Sequence, residues 1–217
     1  IRFWKQLSQH PNYDQFWKER DARSGCYNIK PAMMVVGGLF DAEDCYGAWN
    51  LYKAIQKQSP QTNNRLVMGP WSHGGWGSRA NGASLGNVRF GSKTSEYYQN
   101  NIEIKFFNFY LKNKGSANDL ANANIFFSGE NKWNTFESWP PKAENKQLYL
   151  NEKGTLSYNK PTQNKSFSKY TSDPNKPVPY ADGVHLGRTR EYMTDDQRFA
   201  SRRTDVLVFK TEVLSED

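Results

Sequence analysis

Two short apolar runs, each followed by a residue able to carry chemistry, stand out in the pattern of hydrophobic and polar positions. Residues 35–44 read VVGGLFDAED, and residues 66–76 read LVMGPWSHGGW. Such runs are typical of buried parallel strands, which end in loops at the carboxyl edge of a sheet. An Asp41 strand followed by a His73 strand supplies two thirds of a hydrolase triad in the order Ser, Asp, His.

Apolar positions at helical spacing predict the elements around these strands. In chain order they are two short helices within residues 1–25 broken at Pro11, a strand at 33–38, a helix at 44–58, a strand at 65–68, and a helix from about Thr94 to Asn113. Asn12 is predicted to cap the second helix, and Gly115 to end the last one.

After about residue 118 the pattern changes to short β-rich pieces separated by turn residues. The predicted strands lie at 125–127, 147–150, 155–158 and 206–209, and residues 159–180 are predicted to be a long surface connection. The fold class is therefore α/β followed by β, with an alternating piece that leads into the opening of a β-sandwich. Both ends of the chain are expected to be cuts within a longer or processed protein.

Composition excludes several classes of partner. The formal charge of +7 and the 13 Phe, 12 Tyr and 7 Trp fit a nucleic-acid binder, but the basic residues are dispersed, so a solvated surface without nucleic acid is predicted. No apolar stretch approaches membrane-spanning length, and no membrane association is predicted. Cys26 and Cys45 have no C-x-x-C spacing and no nearby histidine, so we predict buried thiols, no metal site and no cofactor.

The serine of the triad is missing. Gly82–Gly86 matches the nucleophile pattern G-x-S-x-G, but it follows both Asp41 and His73 and has no β-branched run before it. The segment 74–92 is rich in Gly, Asn and Ser and is predicted to be a loop, so Ser84 is rejected as the nucleophile.

The residues alone leave two alternatives for each candidate. His73 is a general base, or a loop histidine bonded to a backbone carbonyl. Asp41 orients the histidine, or caps the following helix, a position that Asp44 fits better. Glu43 and Asp44 are also placed where a helix dipole stabilises each acid by about 0.3–1 kcal/mol.

The aromatic residues and the remaining histidines are less specific. Trp71 and Trp76 bracket His73 and either wall a substrate pocket or pack the core. His10 and His185 match no catalytic motif, and both are predicted to lie at the surface.

The chain resembles the α-amino acid ester hydrolases, within a wider group that contains cocaine esterase, glutaryl 7-aminocephalosporanic acid acylases and Xaa-Pro dipeptidyl-peptidases. The motifs that carry the resemblance are YDQFWKERDA, GGLFDAEDCYGAW, LVMGPWSHGGW, GASLGNVRFG, FFNFYLK, SWPP and SDPNKPVPY.

The resemblance implies three regions: residues 1–25 as the end of a helical cap, 26–117 as the C-terminal part of an α/β-hydrolase domain, and 118–217 as the first part of a jelly roll. It implies Asp41 and His73 as catalytic, Glu43 and Asp44 as ligands of a substrate's α-ammonium group, and a nucleophilic serine upstream. This chain alone is then expected to be inactive.

The implied partner is a small-molecule α-amino ester, amide or β-lactam-type substrate, cleaved through an acyl-enzyme. An Xaa-Pro dipeptidyl-peptidase, a cephalosporin acylase and a noncatalytic jelly-roll binding module are the alternatives. A periplasmic or secreted location is expected, and a homo-oligomer is left open.

Overall fold

The two apolar runs form parallel strands, as their pattern predicts. The computed structural model describes residues 1–77, 81–163, 165–187 and 190–215. Its strands are β1 (Met33–Gly38), β2 (Asn64–Gly69), β3 (Ser84–Leu85), β4 (Val88–Arg89), β5 (Ala123–Phe127), β6 (Lys132–Phe136), β7 (Tyr149–Asn151) and β8 (Thr155–Ser157). Its helices are α1 (Arg2–Gln9), α2 (Gln15–Lys18), α3 (Cys45–Gln58), α4 (Thr94–Tyr98), α5 (Ile104–Lys112) and α6 (Arg198–Ser201).

Strands β1, β2, β5 and β6 form one mixed sheet in that order. The pairs β1–β2 and β2–β5 are parallel, and β6 runs antiparallel to β5. Gly38 at the end of β1 lies opposite Gly69 at the end of β2. The loops that follow the two strands therefore start side by side.

Both faces of this sheet are covered. Alternate residues of a strand point to opposite faces, and Leu66 and Met68 of β2 belong to a core cluster with Tyr52 and Ile55 of α3. Val67, between them, belongs to a second cluster with Trp71, Tyr98 and Ile102. Helix α3 thus covers one face, and the helical segment that begins with α4 covers the other.

The placement of β5 corrects the sequence analysis. Residues 125–127 were predicted to open a second, antiparallel domain after residue 118, but β5 pairs with β2 in the parallel sheet. Its first four residues are all buried, as in a strand covered on both faces. The chain divides into two compact units, and the first, which contains Ile1–Leu85 and Arg89–Trp139, extends beyond the predicted boundary.

Two predicted helix ends are also corrected. Asp14, not Asn12, caps α2, because its side chain accepts a hydrogen bond from the backbone N–H of Phe16. The predicted long helix is present as α4, a π-helical turn (Gln99–Glu103) and α5. Asn113, not Gly115, adopts the left-handed conformation that ends it, with φ of 52°.

The second unit contains residues 86–88 and Pro140–Asp217. Strands β7 and β8 pair in antiparallel fashion, and an isolated bridge joins Thr155 to Lys210. Residues 206–209 form no strand, which corrects that prediction: the backbone bonds to Gly154 and Leu156 are made at Lys210. Apart from Asn164, which lies outside the described residues, the segment 159–180 contains only turns, bends and irregular backbone.

In the described ranges, no helix has the length and apolar character needed to cross a bilayer. The same ranges contain no cluster of three or more His, Cys, Asp or Glu side chains arranged to hold a metal ion.

Candidate active site

Asp41 and His73 meet at the carboxyl edge of the sheet. Asp41 belongs to the acid turn, residues 39–44 after β1, and His73 to the histidine loop, residues 70–77 after β2. The Nδ1 atom of His73 lies 2.9 Å from Oδ2 of Asp41. The carboxylate side chain is only 3% exposed, whereas the imidazole is 57% exposed. The pair thus combines a fixed, buried acid with a histidine that other groups can reach.

Backbone contacts hold the two loops together beyond the ends of the strands. The N–H of Leu39 donates to the carbonyl of Gly69 at 2.8 Å, and the N–H of Phe40 donates to the carbonyl of Trp71 at 3.1 Å. A Cβ atom at Gly38 would stand 2.2 Å from that Trp71 oxygen. Glycine at this position therefore permits the close approach that brings Asp41 to His73.

The two oxygens of Asp41 have separate partners. Oδ1 accepts hydrogen bonds from the backbone N–H groups of Glu43 at 2.8 Å and Asp44 at 3.0 Å, while Oδ2 faces His73. Burial raises the pKa of the carboxyl, but these donors and His73 outweigh burial, and the net pKa lies below the ordinary value. Asp41 is thus an ionised acceptor at neutral pH.

The helix-cap alternative for Asp41 is not realised, because the N-cap position of α3 belongs to Asp44. One oxygen of Asp41 stabilises the turn before α3, and the other binds the histidine. Asp44 occupies the N-cap position of α3, as predicted, but its side chain makes no capping hydrogen bond to the helix. The capping role predicted for the Asp44 side chain is therefore wrong.

Asp41 also sets the state of His73. The hydrogen bond and negative charge of Asp41 raise the pKa of the imidazole, slight burial opposes this, and the charges of Glu43 and Asp44 raise it further. Because the carboxylate only accepts, Nδ1 carries the proton toward Asp41. The neutral ring then presents a lone pair on Nε2, the state that a general base needs.

Glu43 and Asp44 are exposed side chains on the acid turn. Their effect on the pKa of His73 places both negative charges within electrostatic reach of the imidazole. The acid turn therefore combines a buried carboxylate bound to the histidine with two carboxylates that face solvent.

The two tryptophans have different surroundings. Trp71 is 3% exposed, its Nε1–H donates to Oγ1 of Thr94 at 2.9 Å, and its ring packs edge-on against Tyr98. Of the two predicted roles, the structure places Trp71 in the core. Trp76 is half-buried, and its ring centre lies 6.4 Å from that of His73.

In the described residues, no hydrogen bond joins the remaining candidates to Asp41 or His73. Ser84 is exposed at the start of the two-residue strand β3, without a strand-turn-helix context; residues 78–80 of the predicted loop lie outside the described part. His10 stacks on Phe16 at 4.3 Å and lies 2.6 Å from Oδ2 of Asp14, and His185 is exposed.

A family model, a relative found by sequence and two solved structures all indicate similarity to the same group of proteins. A family model described as X-Pro dipeptidyl-peptidase (S15 family) matches residues 1–75. Cocaine esterase from Rhodococcus sp. (strain MB1 Bresler) is 25% identical over 224 residues, which cover 97% of this chain and 37% of the esterase.

Two solved structures match the whole chain. An α-amino acid ester hydrolase is 33% identical with a TM-score of 0.87, and the match covers 100% of this chain and 37% of that one. An aminopeptidase from the marine sediment archaeon Thaumarchaeota archaeon is 37% identical, also with a TM-score of 0.87, over 100% and 36% of the two chains.

The predicted resemblance to this group of serine hydrolases is confirmed. The chain spans a little over a third of the length of these relatives.

Proposed function

We propose that the full-length protein is a serine hydrolase that cleaves esters or amides through an acyl-enzyme. The observation that carries the proposal is the 2.9 Å pair of a buried, ionised Asp41 and an accessible His73. The similarity to cocaine esterase, the α-amino acid ester hydrolase and the S15 family supports the reaction class.

In this proposal His73 is the general base. Its Nε2 takes the proton of a serine hydroxyl as the serine oxygen attacks the substrate carbonyl, and returns it to the leaving group. Water then attacks the acyl-enzyme with the same base. Asp41 fixes the tautomer and stabilises the imidazolium, while the serine and the backbone donors for the oxyanion belong to the part of the protein outside residues 1–217.

The proposed domain assignment follows the resemblance. A parallel β1–β2 pair covered by helices on both faces, with acid and histidine after successive strands, supports an α/β-hydrolase domain. The assignment of residues 1–25 to a cap and of the C-terminal region to a jelly roll rests on the resemblance alone.

For the substrate we propose an acyl group with a free α-amino group. The carboxylates of Glu43 and Asp44 are exposed on the turn whose Asp41 binds the histidine, and their charges raise the pKa of His73; an α-ammonium group supplies the cation that such a pair attracts. The names of both similar solved structures refer to amino-bearing substrates. A peptidase is the second candidate, since the S15 model and the aminopeptidase both favour amide cleavage.

A fluorophosphonate probe tests the reaction class directly. We expect the full-length protein to be labelled at one serine outside residues 1–217, and a His73→Ala variant to be labelled far more slowly. His185→Ala is the matched control, because His185 is exposed and bonded only to a backbone carbonyl in the described structure.

The residue 1–217 chain alone should react no faster than its His73→Ala version. Labelling of Ser84, or equal rates for the His73→Ala and His185→Ala proteins, would contradict the proposal. Parallel assays with an α-amino ester and the matching anilide then separate an esterase from a peptidase.

A further inference from the structure

The histidine loop is held by side chains that come from another part of the chain. Three hydrogen bonds join it to the start of the helical segment on the second face of the sheet, and the donors or acceptors are Thr94, Ser95 and Gln99. None of these residues belongs to the motif around His73. The sequence pattern indicated only that a helix begins near Thr94.

Ser95 makes the contact nearest to the histidine. Its Oγ–H donates to the carbonyl oxygen of Gly75 at 3.0 Å, two residues after His73. Ser95 has no exposed surface, so water cannot replace this bond without opening the structure. The backbone of Gly75 is therefore tied to the first turn of α4.

Thr94 joins both ends of the segment that contains the loop. Its Oγ1 accepts from the indole N–H of Trp71 at 2.9 Å and donates to the carbonyl of Gly82 at 2.7 Å. Thr94 is also completely buried. One hydroxyl thus satisfies a buried donor two residues before His73 and a carbonyl nine residues after it.

Gln99 adds a third bond. Its Nε2 donates to the carbonyl of Trp76 at 2.7 Å, and the Trp76 ring lies beside the ring of His73. The backbone N–H groups of Ser95 and Glu96 donate to the carbonyl of Asn81. Side-chain and backbone donors from residues 95–99 therefore fasten Trp76 and Asn81 to the helical segment that begins with α4.

We propose that Ser95 and Thr94 are positioning residues for His73: their hydroxyls hold the histidine loop so that the imidazole stays within hydrogen-bond distance of Asp41. The need for such a support follows from exposure, because a half-exposed ring has few packing contacts of its own. The kinetic consequence rests on the proposed hydrolase function, whereas the positioning itself does not.

The variants for the test are made in the full-length protein. Ser95→Ala removes the donor to Gly75, and Thr94→Val removes both side-chain bonds of Thr94 at nearly constant volume. Thr94→Ser keeps the hydroxyl and serves as the rescue variant. Ser92→Ala, an exposed serine just before α4, is the matched control.

Two measurements follow from the geometry. Labelled histidine allows the His73 imidazole to be titrated by NMR, its signal being assigned by its loss in His73→Ala. In Ser95→Ala and Thr94→Val we expect its pKa to fall toward the ordinary value as the bond to Asp41 lengthens. We expect kcat to fall by up to about 100-fold with little change in KM, the scale of a misplacement of about 1 Å.

Thr94→Ser and Ser92→Ala should match the wild type in both measurements. If folded Ser95→Ala and Thr94→Val proteins retain the His73 pKa and kcat of Ser92→Ala, the positioning role is wrong. If Thr94→Val does not fold, the same two measurements on Ser95→Ala and Gln99→Leu test the positioning role. An inactive wild type would contradict the proposed hydrolase, yet the NMR titration would still decide the positioning role.

Discussion

The acid turn and the histidine loop follow neighbouring parallel strands, but they are stabilised in different ways. Apart from the backbone bonds of Leu39 and Phe40 to the neighbouring strand and loop, the acid turn is held locally: Asp41 accepts from the backbone N–H groups of Glu43 and Asp44, and its own N–H donates to Gly38. The side-chain bonds that hold the histidine loop come from residues 20 to 23 positions further along the chain.

This difference matches the work proposed for each loop. A buried carboxylate must stay ionised and still, and two N–H donors in its own turn fix it together with His73 in the neighbouring loop. A base must meet both a serine and the substrate, so its ring has to be accessible. The position of an accessible ring depends on the backbone of its own loop. The side chains of Thr94, Ser95 and Gln99 hold that loop.

The largest effect is expected from Asp41→Asn in the full-length protein. An asparagine oxygen can still accept from the N–H groups of Glu43 and Asp44, but its NH₂ would then face Nδ1 of His73 and select the wrong tautomer. Nε2 would carry a proton and lose its basic lone pair. We expect kcat to fall by about 10⁴, as for the corresponding change in a serine protease, with KM nearly unchanged.

The chain offers a matched control for this change. Asp14 lies 2.6 Å from Nδ1 of His10 in a second acid–histidine pair, and Asp14→Asn should leave kcat within a few-fold of the wild type. If steady-state kinetics give similar kcat values for the two variants, Asp41 acts only in forming the turn.

A smaller and substrate-dependent effect is expected from the exposed acids of the same turn. Glu43→Gln and Asp44→Asn each remove a charge proposed to bind an α-ammonium group. We expect kcat/KM for an α-amino ester to fall by about 10-fold to 100-fold, less than for a fully buried charge pair. The des-amino analogue should be affected little, because it carries no ammonium group.

Measuring kcat/KM for both esters separates recognition from folding. Glu19→Gln, an exposed acid on the surface after α2, is the control for a simple change in net charge. Equal losses on both esters would mean that Glu43 and Asp44 only support the turn.

What the sequence predicted follows the same division between local and distant contacts. Asp41, Glu43 and Asp44 lie within four residues, and the apolar run before them sets their place at the end of β1. The register of two adjacent strands then brings His73 to Asp41. The bonds of Thr94 and Ser95 have no local pattern, because they depend on how α4 packs against the sheet.

The position of β5 illustrates the same limit. Its five residues, apolar except for Asn124, form a short segment that fits a parallel sheet as well as a sandwich. Pairing with β2 depends on a partner more than fifty residues earlier in the chain, at Leu66. The sequence therefore predicted the strand but not its sheet.

A moderate loss of stability is expected from Gly38→Ala. The new Cβ atom would stand 2.2 Å from the Trp71 oxygen, a backbone atom that cannot move aside alone. We expect the two loops to separate, with a loss of about 1–3 kcal/mol, the usual cost of overpacking. Gly77→Ala is the control, because its nearest neighbour is 4.0 Å away. Equal shifts of the thermal midpoint for both variants would show that Gly38 does not join the loops.

The smallest effect concerns the pH dependence of the reaction. In its proposed role His73 acts as a base only when neutral, so kcat/KM should fall as the pH drops through the pKa of His73, which lies above the ordinary value of 6.5. Glu43 and Asp44 raise this pKa through their charges alone. The double variant Glu43→Gln with Asp44→Asn should therefore move the acidic limb to lower pH, in measurements with the des-amino ester. Added salt should reduce that shift, because exposed charges are screened, whereas the hydrogen bond that Asp41 accepts from His73 should keep most of its effect. A limb that stays in place at low salt would show that the two exposed acids do not act on the imidazole.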